Sequence, residues 1–222
     1  MNARMKERFS KENIKRILET LKYSLYVISH PLDGFWDLNH EKRGSVEAAT
    51  IIIILAVLTN ILRMQFSSFL FVTVRWSRVN IIIEILGVLA PIIIGVVSNW
   101  CLTSLMDGKG TMSDIYMAAG YAMTPYVLIN IPLILVSNVI TTDEGSFYYV
   151  FQTIALIWCG ALLLSAMMMI HDFSLMKALI CAALTIVGML VIIFLLLLFF
   201  SLISDAVAYF YSLYKEISYR LY

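Results

Sequence analysis

Five stretches of this chain, about 46–64, 81–105, 115–140, 147–170 and 175–204, carry almost nothing but apolar side chains, with charge confined to their ends and to the segments between them. Roughly 20 apolar residues cross the hydrocarbon of a bilayer, so each stretch predicts a membrane-spanning helix. Ahead of the first, Ile14, Ile17, Leu18, Leu21, Leu25 and Ile28 recur at helical spacing, while Lys11, Lys15, Arg16 and Lys22 fall mostly on the other faces. That pattern predicts an amphipathic helix lying on the inner leaflet. Beyond the last, Val207, Phe210, Tyr214, Ile217 and Leu221 continue an apolar stripe, with Ser212, Lys215 and Glu216 off it. After Met176 the chain has one glycine, Gly188, and no proline, so the last helix is expected to overshoot the membrane to about Tyr214. Between the first two spans, Val72, Val74 and Trp76 alternate with Thr73, Arg75 and Ser77, which fits a short strand-like or re-entrant cap or an irregular loop. The fold expected is an all-α integral membrane bundle of five transmembrane helices with an N-terminal interfacial amphipathic helix. Its parts are a basic leader and interfacial elbow over 1–45, a transmembrane domain over 46–204 and an amphipathic extension on the outer side over 205–222.

Composition agrees with a membrane chain: 61% of its 222 residues are hydrophobic and 14% charged, and the mean hydropathy is +0.87. A soluble domain of this length has no interior large enough for so much apolar surface. Charge then orients it. Nine of the 16 Lys and Arg residues precede the first span. With the N-terminus inside, Lys109 and Lys177 join them in short inner loops, leaving Arg63, Arg75, Arg78, Lys215 and Arg220 outside. This asymmetry predicts a cytoplasmic N-terminus and an outer C-terminus. The outer loop TTDEGS, with two acids and no base, agrees, and Trp76, Trp100, Tyr116, Tyr148 and Tyr149 fall near span ends where interfacial aromatics belong. The charged leader of more than forty residues does not read as a cleavable secretory signal. Cys101, Cys159 and Cys181 lie in apolar runs without close pairing and read as buried small apolar residues.

The third span is interrupted. Pro125 removes the donor for the carbonyl of Tyr121, beside Gly120, so a kink is expected over Gly120–Pro125; Pro132 and Pro91 free the carbonyls of Leu128 and Gly87 in the same way. Freed carbonyls in lipid need new donors. One reading makes the breaks part of a polar transport path, and the other makes them joints between closely packed helices. Ala118 and Ala122, and Ala178 and Ala182, spaced four apart, favour the second. If the second and third spans form an antiparallel hairpin, Asn99 lies level with Tyr121 and is expected to donate to its freed carbonyl.

The inner loop Asp107-Gly108-Lys109-Gly110-Thr111, followed by Ala119-Gly120-Tyr121-Ala122-Met123-Thr124-Pro125 in the third of five spans, resembles the Yip domain family. The family signature is a small glycine-containing loop, then Gly-Tyr, three residues and Pro. The resemblance covers about 46–204 and implies five spans with the N-terminus inside and the C-terminus outside. It also implies interactions with other membrane proteins; eukaryotic members interact with Ypt/Rab GTPases. Those members carry an Asp-Leu-Tyr-Gly-Pro motif in a longer leader, where this chain has His30-Pro-Leu-Asp33-Gly34-Phe-Trp36-Asp-Leu-Asn-His40. The short leader is similar to that of the bacterial branch, which implies a bacterial cell-membrane protein.

The segment His30–Gly44 gathers His30, Asp33, Asp37, His40 and Glu41, yet at no standard metal-ligand spacing. With Pro31, Gly34 and Trp36 it reads as a turn and interfacial elbow, Trp36 at the headgroups and Lys42 and Arg43 toward lipid phosphates. Glu84, Lys177 and Asp205 sit near span ends, where they can snorkel. His171-Asp172, in a short inner loop, lacks a nucleophile partner, and Gly108-Lys109-Gly110 is too short for a phosphate loop. No catalytic, cofactor or metal site is expected. The partners expected are membrane lipids and other membrane proteins or further copies of the chain, not nucleic acid. The function expected is a non-enzymatic scaffold or accessory subunit that docks membrane proteins or shapes the bilayer. The alternative is a transporter or channel component using the broken second and third spans, told apart by whether Asn99, Tyr121, Asn130, Asn138 and Gln152 converge on a wet cavity.

Overall fold

A computed structural model describes residues 11–72, 79–141 and 143–221. Among them the chain forms α1 (Lys11–Ser29), α2 (Pro31–His40), α3 (Val46–Phe66), α4 (Ile81–Leu105), α5 (Met112–Ala122), α6 (Thr124–Ser137), α7 (Gly145–His171) and α8 (Leu175–Leu221). Five units are long and apolar enough to cross a membrane: α3, α4, α5 with α6, α7 and α8. Residues 73–78, on which most of the alternating segment falls, lie outside the described residues.

Local chemistry sets the starts. Ser45 caps α3 by accepting from Ala48 N at 3.0 Å, and the Asn80 side chain caps α4 by accepting from Ile82 N. Thr111 and Asp114 form a reciprocal capping box on α5, satisfying donors that the helix itself leaves orphaned. At the other end of α7, Asp172 adopts a left-handed conformation (φ 53°), which turns the chain sharply into α8.

The segment after His30 is a helix rather than a turn. Pro31 occupies its first position, where a missing N–H costs nothing, and Asp33 lies in the first turn. Gly34, which suggests a turn, is buried instead against α1: a Cβ there would lie 3.0 Å from Val27 Cα. The bend itself is His30, between α1 and α2.

α2 and α5 pack on α7, α3 packs on α5 and α6, and α1 lies across α2 and α3. Their shared core includes Val27, Phe35, Leu38, Ala49, Tyr121, Leu162 and Ile170. The face of α1 turned to it carries Ser24 and Val27, with Leu21 and Ile28 packed alongside, whereas Leu18 and Leu25 of the expected apolar stripe are exposed. α4 makes its most extensive contact with α8, far away in sequence, and leans less on α3 and α5.

Candidate functional site

Three places gather the residues that interrupt the apolar pattern. The first is the break in the third span. α5 ends at Ala122 and α6 begins at Thr124, with Met123 as the joint and Pro125 in the first turn of α6. The carbonyl of Tyr121 is not met by Asn99. It accepts the Thr124 hydroxyl at 2.7 Å, buried and entirely local. Asn99 donates through Nδ2 to Thr185 Oγ1 of α8 at 3.2 Å. Gly120 does serve a close approach, but to α3: an added Cβ would lie 2.7 Å from Ala49 Cβ and 2.9 Å from Ala49 Cα. The Tyr121 side chain is wholly buried, and its hydroxyl donates to the Thr20 carbonyl of α1 at 3.2 Å. Proximity of the second and third spans in sequence suggested the wrong partner, because the chain pairs α4 with α8 and sets α5 against α3.

The second place is a clasp of two loops. Lys109 Nζ lies 2.8 Å from Asp172 Oδ2, and the Gly110 N–H donates to His171 Nδ1 at 3.2 Å. His171 is buried, and a Cβ on Gly110 would collide with it and with Ile170. Because Nδ1 accepts, the neutral ring carries its proton on Nε2. The hydrogen bond from Lys109 holds the Asp172 carboxyl below the usual carboxylate range. Lys177 of α8 closes the other side, donating to the Met106 carbonyl at 2.9 Å and lying 4.1 Å from the centre of the Phe173 ring. The loop Gly108-Lys109-Gly110 and the pair His171-Asp172, distinguished separately in the sequence, are therefore one unit, and only tertiary packing reveals it.

The elbow shares that end of the bundle. His30 stacks on Tyr26 and His40 on the exposed Trp36, with ring centres 4.7 and 4.6 Å apart, and Asp33 is exposed. Arg43 pairs with Glu41 at 2.7 Å and Asp37 at 3.5 Å. Burial and the neighbouring Asp37, whose carboxylate accepts from its hydroxyl, push the Tyr23 phenol well up. Among the described residues, no three His, Cys, Asp or Glu side chains gather as metal ligands.

The third place, at the opposite end, was not singled out from the sequence. Arg63 and Tyr126 both reach Asn60 Oδ1, at 3.2 and 3.4 Å, while Arg63 Nε, Ser67 Oγ, Asn130 Oδ1 and Tyr148 OH are buried without partners. Tyr148, expected at the interface, is buried and stacks on Phe71, with ring centres 4.9 Å apart. Asn138 Nδ2 ties α6 to the Phe66 carbonyl at 2.8 Å. Of the cysteines, Cys159 and Cys181 are buried, but Cys101 is exposed on α4.

Bundle, clasp and interrupted span together define a polytopic helical membrane protein. The Yip1 domain family model matches residues 25–198, so the chain belongs to the Yip1 domain family. No curated protein and no solved structure matches it.

Proposed function

We propose that the chain is a non-enzymatic scaffold or accessory subunit of the cell membrane, docking other membrane proteins or further copies of itself. In this reading the N-terminus is cytoplasmic and the C-terminus outside, the clasp and elbow face the cytoplasm, and residues 205–222 form an outer extension. The segment His-Pro-Leu-Asp-Gly-Phe, where eukaryotic members carry Asp-Leu-Tyr-Gly-Pro, favours the bacterial branch over the GTPase-binding one.

The supporting observation is where the polar groups of the broken span go. Thr124 satisfies Tyr121, Tyr121 reaches Thr20, Asn130 donates to the Tyr126 carbonyl of its own helix, and Asn138 bonds Phe66. Two of these bonds stay within the broken span and two tie it to α1 and α3, which favours a packing joint over a polar path. The free surface lies elsewhere: α8 runs for 47 residues, about 70 Å at 1.5 Å per residue, and its outer half exposes Val207, Phe210 and Tyr214.

A photo-reactive phenylalanine analogue at position 210 tests this in intact cells. The reading expects one discrete adduct, with a second copy or a defined membrane protein, lost on Tyr214→Glu. It also expects no solute flux in proteoliposomes. Flux abolished by Asn99→Leu in a folded protein, or adducts with lipid alone, would overturn it.

A further inference from the structure

The pairing of α4 with α8 fixes how far α8 stands out of the bundle. Asn99 meets Thr185, and Met189 Sδ lies 3.7 Å from where a Gly95 Cβ would sit. The same antiparallel register sets Ile81, the first residue of α4, level with Ile203. Residues 204–221 therefore lie beyond the span as about 27 Å of helix. No glycine or proline follows Gly188 to bend them back onto the membrane, so lipid does not cover them. Every residue from Ile193 to Ile217 is exposed.

The exposed length is not uniform around its axis. Ile203, Val207, Phe210, Tyr214 and Ile217 recur at steps of four, three, four and three, the spacing of a coiled-coil seam. The seam prolongs a face already in use. Eighteen residues make five turns, so Ile203 stands above Thr185 and Val207 above Met189, the two residues that meet α4. Asp205, Ser212, Lys215 and Glu216 fall off the seam, and the positions flanking it are Ala206, Tyr211, Leu213 and Ser218. With no charge on the seam or its flanks over this length, nothing repels an identical helix.

We infer that this seam pairs with the same seam of a second copy, as a parallel two-stranded coiled coil on the C-terminal side of the membrane. The inference rests on the scaffold reading and names its partner. Two copies inserted the same way into one membrane send α8 out on the same side. Their seams are therefore parallel and in register, and one two-fold axis relates them. α4 leaves room for the approach: it turns Gly95 and Asn99 to α8 and exposes Leu86, Ile93 and Trp100, seven apart, on its opposite side. Two copies fit with α4 against α4 and the α8 extensions closing above them. The area suffices. The five seam side chains are 44 to 71% exposed, which offers roughly 500 Å² per copy and roughly 1,000 Å² for the pair, the threshold for a specific interface.

The test uses the full chain without Cys101, Cys159 and Cys181, with single cysteines oxidised by copper phenanthroline in native membranes. Val207→Cys, Phe210→Cys, Tyr214→Cys and Ile217→Cys should each form disulfide homodimers. Asp205→Cys, Ser212→Cys, Lys215→Cys and Tyr219→Cys should form at least about fivefold fewer, because a bridge needs Cα atoms within about 7 Å. Bridging between identical positions reports a parallel, in-register pair. Tyr214→Glu should lower the Phe210→Cys dimer at least about tenfold by setting two carboxylates face to face, whereas Ser212→Glu, on the far side, should leave it unchanged. Both positions are exposed, so both variants should remain monodisperse in size-exclusion chromatography. Homodimers without this period, or none at any position, would overturn the pairing. A position-210 photo-adduct with a different membrane protein, and no homodimer, would overturn the pairing and keep the scaffold reading; an adduct with lipid alone would overturn both.

Discussion

Gly120 and Thr124 solve two different problems four residues apart. Gly120 removes a side chain where the α3 backbone passes, since even a methyl would press on Ala49. Thr124 supplies the donor that Pro125 cannot. Both demands stand out in the sequence as breaks in an apolar run, but their partners do not. A glycine announces closeness without saying to what, and a hydroxyl that bonds within its own turn competes unseen with one that crosses to another helix. Thr124→Val should therefore cost about 1 kcal/mol, the usual size of a hydrogen bond in a membrane bundle. Pro125→Ala in that background returns a backbone N–H to the Tyr121 carbonyl and should recover part of the loss. Thermal unfolding of the four proteins of this cycle in detergent measures the coupling, and strict additivity would show that the two residues do not share the carbonyl. Tyr148→Phe should be neutral or stabilising by the same assay, because the hydroxyl it removes is buried without a partner.

At the level of elements, hydropathy located all five spans because each must bury a continuous apolar length in lipid, a condition written in the sequence itself. α2 was harder to see. Its Pro31 and Gly34 carry the composition of a turn, and only the approach to Val27 explains a glycine inside this helix. The continuation of α8 through Leu221 follows from the lack of any breaker after Gly188. Most helical stability comes from packing an apolar face, so the extension is expected to lie against a surface. Ala208→Pro removes the N–H that reaches back to Ser204 and breaks the extension beyond the membrane. Among the described residues, Val207, Phe210, Tyr211 and Tyr214 in the outer half of α8 are exposed rather than buried in the bundle. The variant should therefore keep the parent's melting temperature in detergent while losing the position-210 adduct in cells. A melting temperature that falls with the adduct would mean that the extension belongs to the bundle and not to a partner.

Across the whole molecule, the clasp and the first two helices gather at one end, and the unpartnered Arg63 Nε and Tyr148 hydroxyl lie toward the other. The clasp does not draw much stability from its ion pair. Lys109 and Asp172 are both exposed, and such pairs contribute at most about 1 kcal/mol. With the Asp172 carboxyl held low, that contribution is present above the ordinary carboxylate pKa and fades as pH falls through the lower folded value. Neutral and mildly basic buffers should leave it unchanged. Lys109→Met should accordingly unfold with the parent, whereas Gly110→Leu, which drives a side chain into Ile170 and His171, should not fold to a monodisperse species in size-exclusion chromatography. The proposed orientation of this end rests on charge alone. Eleven of the 16 Lys and Arg residues fall on its side of the membrane when the N-terminus is inside, and positively charged loops are retained in the cytoplasm. In a background without Cys101, Cys159 and Cys181, a cysteine at the exposed position 143 should react with an impermeant maleimide added to intact cells. One at position 109 should react only after the cells are opened. The reverse pattern would invert the molecule, place the clasp outside, and remove the charge argument on which the proposed topology depends.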